Sequence, residues 1–388
     1  MPSPAETKTQ TTEPLTIAFT YTPKIPYLQR GLTETQTADL ADDGTISAIS
    51  NALQKLGHNV IHVAGIESLV AHFAAGDQKE WDLVFNYAEG IRGSATSREA
   101  QVPALLEAYG VDFTFGDSAC LSACGGKGGA KMILSHHGIP TAPFIVIPKY
   151  GSAVDYESLL QKRAKQLSYP LFAKPVAAST SNGITPANKI RRPENLKDTV
   201  ETLRGEFKDQ EILLEEFLPG TEYTVAILGP NQSPRVLGVS VVTWYNPEGA
   251  DSKSKANSGG QDGGEDGKEE DGAGDEDGVN FATCYSKFAR GPGQDIGTET
   301  VSLSDPVVNS VADVAVETYK VLGCRDAARV DVRLSRDGVP NVIEVNPIFG
   351  LRDDVSLFTR IARDNGMEYH ELLGEIIACA RARGKEVV

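Results

Sequence analysis

The sequence predicts an α/β protein that begins with a parallel sheet and continues as a mixed α+β region. Two patterns along the chain support this prediction. Up to about residue 140, short apolar runs typical of buried strands alternate with segments whose apolar residues recur at helical spacing. Beyond Pro143, β-rich runs are separated by amphipathic helices. Alternation of strands and helices favours parallel strands with helices packed on the sheet, and 388 residues suffice for two or three domains.

The first part of the chain is predicted to contain four strands. They are Leu15–Thr20, Asn59–Val63, Asp82–Phe85 and Val111–Phe115. A helix that ends at Gly57 joins the first two strands, and a helix with Val102, Leu105, Leu106 and Tyr109 on one face precedes the fourth. Parallel sheets place ligands beyond the carboxyl ends of their strands, so the loop 86–99, which contains Glu89, is a candidate wall of a binding site.

The later segments divide the chain further. A helical segment over 117–137 contains Gly125-Gly126-Lys127-Gly128-Gly129, where we expect the helix to break. A lysine among glycines suggests a phosphate loop, but Gly128 follows Lys127, so the motif G-x-x-x-x-G-K-[ST] is absent. A short strand or linker is expected over Pro143–Pro148, and helices over 155–166, 193–206, 306–322 and 367–383. We predict a disordered tail 1–14, an N-terminal α/β domain 15–140, a central region 141–225 and a C-terminal region 226–388.

The charge of the chain is negative and unevenly spread. There are 37 Lys and Arg residues against 53 Asp and Glu, a net charge of −16, which argues against a nucleic-acid binder that works by neutralising phosphates. Half of that charge lies in 246–278, with 11 acids, three lysines and nine glycines. Such a segment buries too little apolar surface to offset its ordering entropy, so we expect a disordered insertion. The alternative is an acidic patch for a basic partner or for calcium, although its acids lack the spacing of an EF-hand loop.

The number and spacing of the cysteines and the composition of the N-terminal segment indicate the cellular compartment. The five cysteines (Cys120, Cys124, Cys284, Cys324 and Cys379) form neither an even disulfide framework nor a paired C-x-x-C zinc pattern. Cys120 and Cys124 lie four apart and could share one helix face, where structural thiols are favoured over metal ligands. No signal peptide and no window of ~18 apolar residues are found. We therefore expect a reduced, cytoplasmic protein that does not contact a membrane.

The segment from Arg329 to Asn346 is predicted to form a β-hairpin. Asp337-Gly338 is the dipeptide favoured in two-residue type I′ turns, and with that pair as the loop Asp331 faces Glu344 and Arg329 faces Asn346. Side chains of a strand alternate between its two faces, so these polar residues share one face. The opposite face, directed at a core, would carry Val330, Val332, Leu334, Ile343 and Val345.

The predicted opposition of Asp331 and Glu344 indicates a site for a hard metal ion. Two carboxylates with Cβ atoms about 5 Å apart repel each other unless a cation lies between them. Oxygen ligands from Asp331, Glu344 and the Asn346 amide suit Mg²⁺ or Mn²⁺, whose coordination is usually completed by water and substrate phosphates. From the hairpin alone, the alternative is a solvated face whose charges are balanced by Arg329 and Arg333.

A second group of polar residues surrounds a short apolar strand, Tyr169–Val176, that contains Lys174. A lysine there is costly unless its ammonium group meets an anion. Ala178-Ser-Thr-Ser-Asn-Gly183 follows, and its backbone N–H groups can form an anion-binding nest. The apolar run Ile212–Leu218 then brings two acids and an aromatic residue. An apolar slot with polar edges, beside a basic loop and a metal-binding hairpin, is typical of a nucleoside triphosphate site.

These motifs occur in the order found in D-alanine–D-alanine ligases of the ATP-grasp superfamily, which the chain resembles from Leu15 to Arg381. The motifs are Lys127, FAKPV with its Ser/Thr/Gly loop, LLEEFLPGTEYTVAIL, ARVDVRL and VIEVNPIFGL. The resemblance implies an ATP-grasp fold preceded by an N-terminal parallel-sheet domain. It also implies binding of ATP with two Mg²⁺ ions.

The resemblance assigns roles to individual residues. The residues implied to bind ATP are Lys127 and Lys174 at the phosphates, Thr180 and Ser181 in the loop that covers them, Glu215, Phe217 and Leu218 at adenine, and Glu222 at ribose. Asp331, Glu344 and Asn346 would ligate the metal ions. The implied catalytic residues are Arg329, Ser181 and Lys287, the last of which resembles the lysine of a mobile lid. In the implied reaction a carboxylate attacks the γ-phosphorus of ATP, and an amine then displaces phosphate from the acyl phosphate to form an amide.

Segments implied to face the substrates depart from the family pattern. No clear match to the early Ser-x-Glu-like patch is found around Asp42-Asp43-Gly44, and Asn86–Gly90 replaces a His-Gly segment. After the metal-binding asparagine, Pro347–Gly350 replaces Thr-Ser-Pro-Gly. We therefore expect the nucleotide chemistry to be kept, with small-molecule carboxylate and amine substrates that are either D-alanine or a different pair. Glu89, Gly350 and Arg352 are the candidate substrate contacts; Arg352 either pairs with a substrate carboxylate or is a simple surface arginine.

Three functions remain open on the sequence. The first is an ATP-dependent ligase that joins two amino acids or amino-acid-like molecules. The main alternative is an inactive nucleotide-binding scaffold that uses the acidic insertion for docking. The third is an acyl-phosphate-forming kinase, which differs from the ligase only in lacking an amine acceptor. The resemblance also suggests a homodimer.

Overall fold

The computed structural model describes residues 13–34, 36–178, 182–244, 296–353 and 355–383. The strands are β1 (Thr16–Tyr21), β2 (Asn59–Ala64), β3 (Leu83–Tyr87), β4 (Phe144–Ile147), β5 (Leu171–Pro175), β6 (Lys189–Ile190), β7 (Ile212–Glu216), β8 (Glu222–Gly229), β9 (Arg235–Trp244), β10 (Ile296–Val301), β11 (Asp326–Leu334) and β12 (Pro340–Asn346). The helices are α1 (Lys24–Gln29), α2 (Asp43–Lys55), α3 (Ile66–Ala75), α4 (Gln101–Ala108), α5 (Ser118–Cys124), α6 (Lys127–His136), α7 (Tyr156–Arg163), α8 (Leu196–Glu206), α9 (Pro306–Val321), α10 (Leu357–Asp364) and α11 (Tyr369–Arg383). The predicted acidic insertion 246–278 and residues 1–12 of the predicted tail lie outside the described residues.

The N-terminal sheet is parallel, as the alternation of strands and helices predicts. Its order is β2-β1-β3, and Ile17 of β1 pairs with Val60 on one side and Leu83 on the other. The prediction of a fourth strand over Val111–Phe115 is wrong, because that segment makes a single bridge between Val84 and Phe113. Phe115 has a left-handed φ of 71°, and its N–H donates to the Asp326 carboxylate at 2.7 Å, so the chain leaves the sheet there.

Two antiparallel sheets follow in the chain. One has the order β4-β7-β5-β6, and the other has the order β10-β9-β8-β11-β12. The first encloses a core with α7 and α8, and the second with α5, α6 and α9. Because β5 and β7 lie in one sheet while β8, β11 and β12 lie in the other, the polar residues at the strand edges of both sheets face a shared cleft.

The N-terminal sheet and the C-terminal helices share one hydrophobic core. Ile49 and Leu53 of α2 lie in one buried cluster with Leu372 and Ile376 of α11, all 0% exposed. Phe349, just after β12, is also in this cluster and stacks on Phe358 of α10. The segment that follows the hairpin is therefore held against the N-terminal sheet.

The predicted helices are present with small differences in extent. The helix break occurs at Gly125-Gly126, as predicted, but α6 begins at Lys127 and continues through the next two glycines. The predicted helix over 155–166 becomes α7 followed by a 3₁₀ turn over Ala164–Gln166. α10 was not predicted; it buries Phe358, Ile361 and Ala362. Tyr109 is 51% exposed and stacks on Phe73, so it lies outside the buried face of its helix.

The hairpin of β11 and β12 has the predicted pairs but not the predicted loop. Arg329 faces Asn346, and Asp331 faces Glu344. The loop is longer than two residues, since the Ser335 N–H donates to the Val339 carbonyl at 2.9 Å and Gly338 has φ of 77°. This is the three-residue loop that places glycine in the left-handed region.

A β-bulge restores the predicted register beyond the loop. Val332 pairs with Val342, so Ile343 is an extra residue between that pair and the pair of Asp331 with Glu344. The prediction that Ile343 enters the core is therefore wrong: it is partly buried and lines the cleft, and Val342 takes the core position instead. Val330, Val332 and Val345 are buried as predicted, and Leu334 packs against the same core.

Candidate active site

Two adjoining clefts contain the described candidate residues. The first, which we call the nucleotide cleft, encloses about 820 Å³ including space open to solvent. Candidate residues that line it are Lys127, Lys174, Glu215, Phe217, Leu218, Glu222, Asp331 and Glu344. The second, which we call the substrate cleft, is lined by Glu89, Arg329, Asn346, Gly350 and Arg352 among others. Lys127, Ala178 and Glu344 line both clefts, so they form the boundary between them.

A buried group of three charges lies under the nucleotide cleft. Glu215 of β7 accepts from Lys174 of β5 at 2.6 Å and from Lys131 of α6 at 2.8 Å. The three residues are at most 7% exposed. Burial alone would raise the pKa of Glu215, but the two ammonium groups outweigh burial and lower that pKa to about 2. The expected anion for Lys174 in an apolar strand is thus supplied by the protein itself.

Lys131 is a member of this group that the sequence analysis missed. Its ammonium group also contacts the Thr141 hydroxyl. Burial lowers its pKa, although Glu215 opposes that shift. Its signal in the sequence is spacing: Lys127 and Lys131 are four residues apart, so both project from one face of α6.

Lys127 connects the two clefts through an ion pair with the hairpin. Its ammonium group donates to Glu344 at 2.8 Å and to the Ala178 carbonyl at 2.7 Å. Burial favours the neutral form of Glu344, but Lys127 and Arg329 outweigh this and lower the pKa of Glu344 to about 2. Glu344 is therefore ionised at neutral pH.

Asp331 is held by donors from its own strand and from the two neighbouring strands. Arg329 donates to one carboxylate oxygen from Nε at 3.2 Å and from Nη2 at 2.9 Å, and the Asn346 amide donates to the same oxygen at 3.4 Å. Thr224 of β8 donates to the other oxygen at 2.8 Å. The sequence analysis missed Thr224, although alternation along β8 puts it on the same face as Glu222.

Cations thus partly balance the acidic face of the hairpin. This agrees in part with the alternative that the face is solvated and its charges are balanced by Arg329 and Arg333. Arg329 balances Asp331, but Arg333 pairs with Glu222 at 3.2 Å rather than with the opposed acids. The partner of Glu344 is Lys127 from α6. The oxygen donors of Asp331, Glu344 and Asn346 fit a hard divalent cation, because they project from paired positions of adjacent strands and both acids line the cleft.

The apolar end of the nucleotide cleft is built around Phe217. Its ring packs against Phe172 with 6.1 Å between centroids. The Lys189 ammonium lies 4.3 Å and the Arg333 guanidinium 5.1 Å from the centre of the ring. Phe172, Phe217, Leu218 and Arg333 line the cleft, and apolar side chains beside a guanidinium group suit an aromatic base.

The substrate cleft carries several acids near its mouth. Arg352 pairs with Asp42, the N-cap of α2, at 3.2 Å. Burial and the carboxyl groups of Glu99 and Asp39 raise the pKa of Glu89 well above its usual value. Glu99 lines the same cleft and was missed by the sequence analysis; it lies at the end of the loop 86–99 that predicted a wall of the site.

Three candidate residues cannot be located. Lys287, Thr180 and Ser181 lie outside the described residues. The structure brings the other candidates into the two clefts. Their individual roles stay predictions.

No helix among the described ranges is both long and apolar enough to span a membrane.

A family model and known proteins agree with this geometry. The model described as "D-ala D-ala ligase C-terminus" matches residues 133–247 and 286–378, more than half of the chain, and leaves out most of the acidic segment. A D-alanine–D-alanine ligase of Clostridium perfringens is 28% identical over 341 residues, covering 86% of this chain and 95% of that protein.

Solved structures show the same fold. The D-alanine–D-alanine ligase of Bacillus anthracis superposes with a TM-score of 0.66 at 19% identity, covering 96% of this chain and 99% of that one. The VanG D-Ala:D-Ser ligase of Enterococcus faecalis superposes with a TM-score of 0.64 at 19% identity, covering 95% and 100%. On the family match and this fold, the chain belongs to the D-alanine–D-alanine ligase family of ATP-grasp, ATP-dependent carboxylate–amine ligases.

Proposed function

We propose that this chain forms an amide bond between two amino acids or amino-acid-like molecules, with ATP as the source of free energy and an acyl phosphate as the intermediate. The carboxylate of the first substrate attacks the γ-phosphorus of ATP, the bond from that phosphorus to ADP breaks, and ADP leaves. The deprotonated amine of the second substrate then attacks the acyl carbon, and the carbon–oxygen bond to phosphate breaks. The products are the amide, ADP and phosphate.

The observation that carries this proposal is the boundary between the two clefts. Lys127 and Glu344 line both clefts, so a nucleotide on one side has its terminal phosphate next to substrates on the other. Such proximity turns a reaction between separate molecules into one within a single complex. A site for nucleotide binding alone needs no second cleft at the phosphate end.

The residues around the nucleotide cleft bind and orient ATP. Phe217 and Leu218 contact the base, Glu215 lies at its edge, and Glu222 contacts the ribose. Lys127 and Lys174 contact the phosphates, and release of Lys127 from Glu344 makes its charge available to them. Thr180 and Ser181 cover the phosphates, and Lys287 closes over them to exclude water, which would otherwise hydrolyse the acyl phosphate.

The residues of the hairpin hold charge where it develops in the reaction. Asp331, Glu344 and Asn346 would bind two Mg²⁺ ions, or Mn²⁺ in their place, which neutralise charge on the phosphoryl group during transfer. Arg329 lines the substrate cleft and stabilises the acyl phosphate and the oxyanion formed when the amine attacks. Asp331 keeps the guanidinium of Arg329 in place through two hydrogen bonds.

The substrates carry ammonium groups that are recognised by the acids of the substrate cleft. Asp39, Asp42, Glu89 and Glu99 all line it. Gly350 packs closely against Ser356, since a Cβ there would lie 2.8 Å from the Ser356 hydroxyl. The relatives named above act on D-alanine, or on D-alanine and D-serine. The altered substrate-facing segments of this chain support a different pair of substrates.

Two further proposals concern the assembly and the compartment. We propose a homodimer in the cytoplasm, where ATP and free amino acids are available. Size-exclusion chromatography with light scattering tests the dimer. A mass of twice 41.5 kDa is expected, and a monomer contradicts it.

The experiment that tests the function measures ADP release with MgATP against a matrix of paired amino acids, with product masses read in parallel. The matrix includes D-alanine with itself. A pair that releases ADP and yields a condensed product supports the proposal and identifies the substrates. Turnover retained by both Lys174→Ala and Asp331→Asn contradicts the assigned roles.

The inactive scaffold is the alternative that this experiment addresses. The family assignment does not favour it, and neither does a cleft boundary that contains both metal-binding and phosphate-binding candidates. A variant that lacks 249–277 separates the two functions. We expect it to release ADP as the full chain does, whereas a scaffold would lose its docking partner.

A further inference from the structure

Three buried cysteines meet beside the substrate cleft. Cys120 and Cys124 lie on α5, and Cys324 lies between α9 and β11. Their sulfur atoms all lie within 4.8 Å of one another, with 3.8 Å between those of Cys120 and Cys324. None of the three forms a disulfide bond. The sequence shows only the spacing of Cys120 and Cys124, so Cys324 is brought to them by the fold.

Neighbouring residues fix the backbone on both sides of the cluster. The Asp117 side chain caps α5 by accepting from the Cys120 N–H at 2.8 Å. The Asn231 amide donates to the Cys324 carbonyl at 2.9 Å. Gly116 leaves space for the thiols, because a Cβ there would lie 2.8 Å from the Cys120 sulfur. The three sulfur atoms are therefore held together by the fold.

We propose that Cys120, Cys124 and Cys324 form a binding site for a thiophilic divalent metal ion, with Zn²⁺ as the best-fitting ion. Thiolates bound at ~2.3 Å to a tetrahedral Zn²⁺ ion lie roughly 3.8 Å apart, which matches the separation of Cys120 and Cys324. The remaining separations, all under 4.8 Å, close by small side-chain rotations. Soft thiolate ligands select Zn²⁺ over the hard Mg²⁺ bound by carboxylates.

The position of Cys124 gives the ion a path and a fourth ligand. Cys120 and Cys324 are 2% and 0% exposed, but Cys124 is 8% exposed and lines the substrate cleft. An ion entering from that cleft meets Cys124 first, and a water molecule from the cleft completes its coordination. Arg325 lies next to the cap of α5, since it pairs with Asp117 at 3.4 Å.

The bound ion would join two parts of the candidate active site. Cys124 lies three residues before Lys127, and Cys324 lies five residues before Arg329. An ion bound by both therefore ties the start of α6 to the start of β11. This site is separate from the Mg²⁺ site of the hairpin, and the inference holds whether or not the proposed ligase reaction is correct.

A metal-binding measurement on the full-length reduced protein tests the proposal. Protein stripped of metal is titrated with Zn²⁺ in the presence of a competing colorimetric chelator, which suppresses weak binding by surface carboxylates. We expect one equivalent bound per chain. Cys120→Ser and Cys324→Ser should weaken binding at least tenfold, while the control variants Cys379→Ser and Cys284→Ser should bind as the wild type does.

A second measurement needs no variant and so does not depend on whether the substituted cores fold. The wild type is alkylated with iodoacetamide with and without one equivalent of Zn²⁺, and each cysteine is followed by peptide mass spectrometry. We expect Zn²⁺ to slow labelling of Cys120, Cys124 and Cys324 several-fold and to leave Cys379 unchanged. Absence of stoichiometric binding, or equal protection of Cys379, overturns the proposal and leaves the three thiols as core packing.

Discussion

Lys127 and Glu344 form an ion pair of 2.8 Å at the boundary between the two clefts. Each is also a candidate ligand for a different part of the substrates: Lys127 for a phosphate and Glu344 for a metal ion. In the structure the two charges neutralise each other. Under the proposed function, binding of a metal nucleotide would exchange one set of ionic contacts for another, and would not fill a site of uncompensated charge.

The Asp331→Asn variant tests the role of the hairpin acids. We expect kcat for ADP release to fall on the order of 10²-fold or more, because the variant loses a carboxylate that holds Arg329 and that we propose as a metal ligand. The melting temperature should stay near that of the wild type. Asp337→Asn, in the exposed loop of the same hairpin, is the matched control and should keep full activity. A kcat within a few-fold of wild type for Asp331→Asn would show that this acid has no part in catalysis.

Glu215→Gln tests the buried group under the nucleotide cleft. Without the carboxylate, the ammonium groups of Lys131 and Lys174 repel each other in a buried site, so the free energy of unfolding should fall by about 3 kcal/mol. Urea denaturation followed by circular dichroism measures this. Adding Lys131→Met removes one of the two charges and should recover part of the loss. Glu206→Gln, at the exposed end of α8, is the control; an equal loss in that variant, or no recovery in the double variant, contradicts the prediction.

The stability of the wild type should depend on acid pH through the same carboxyl group. The pKa of Glu215 is about 2 in the folded protein against 4.5 for an unperturbed glutamate, so the unfolded state binds the proton more readily between these values. Stability is then fully present above pH 4.5 and is lost as the pH falls towards 2. Glu344 has a similarly lowered pKa, so Glu215→Gln should reduce the slope of stability against pH in this range without abolishing it. Denaturation midpoints at several pH values measure it, and an unchanged slope would refute the assignment to Glu215.

Arg352→Gln distinguishes a substrate contact from a surface arginine. If the guanidinium also binds a substrate carboxylate, KM for one amino-acid substrate should rise about tenfold, which corresponds to roughly 1.4 kcal/mol for one charge-assisted hydrogen bond. KM for ATP should not change. The control is Arg363→Gln, since Arg363 pairs with Asp353 on the exposed side of the same segment. If the melting temperature falls while KM for the amino-acid substrate and KM for ATP are both unchanged, Arg352 has only the structural role of pairing with Asp42.

The sequence predicts the hairpin well because its signals are local. Alternation of polar and apolar residues assigns the faces, and Asp-Gly marks the turn. The predicted loop is one residue too short, and the bulge at Ile343 is not foreseen. The two differences compensate each other, so Asp331 still faces Glu344 as predicted. A bulge leaves no local signature in one sequence, because an extra residue in a strand looks like any other member of it.

The parts that the sequence does not predict depend on contacts between distant segments. Lys131 looks like a surface residue of an amphipathic helix until β7 places Glu215 beside it. Cys324 comes to the cysteines of α5 across 200 residues of chain. The strand expected at Val111–Phe115 fails for the same reason, since a distant carboxylate, Asp326, takes the Phe115 N–H.

The extra residue, Ile343, determines which side chains of β12 lie next to one another in the nucleotide cleft. It puts an apolar side chain beside Glu344 on the face of the hairpin that lines the cleft, while Asn346 lies two residues further along the same strand. The apolar side chain of Ile343 and the candidate metal ligands Glu344 and Asn346 thus follow one another along one strand. A shift of β12 would move all three together, so their spacing would stay the same.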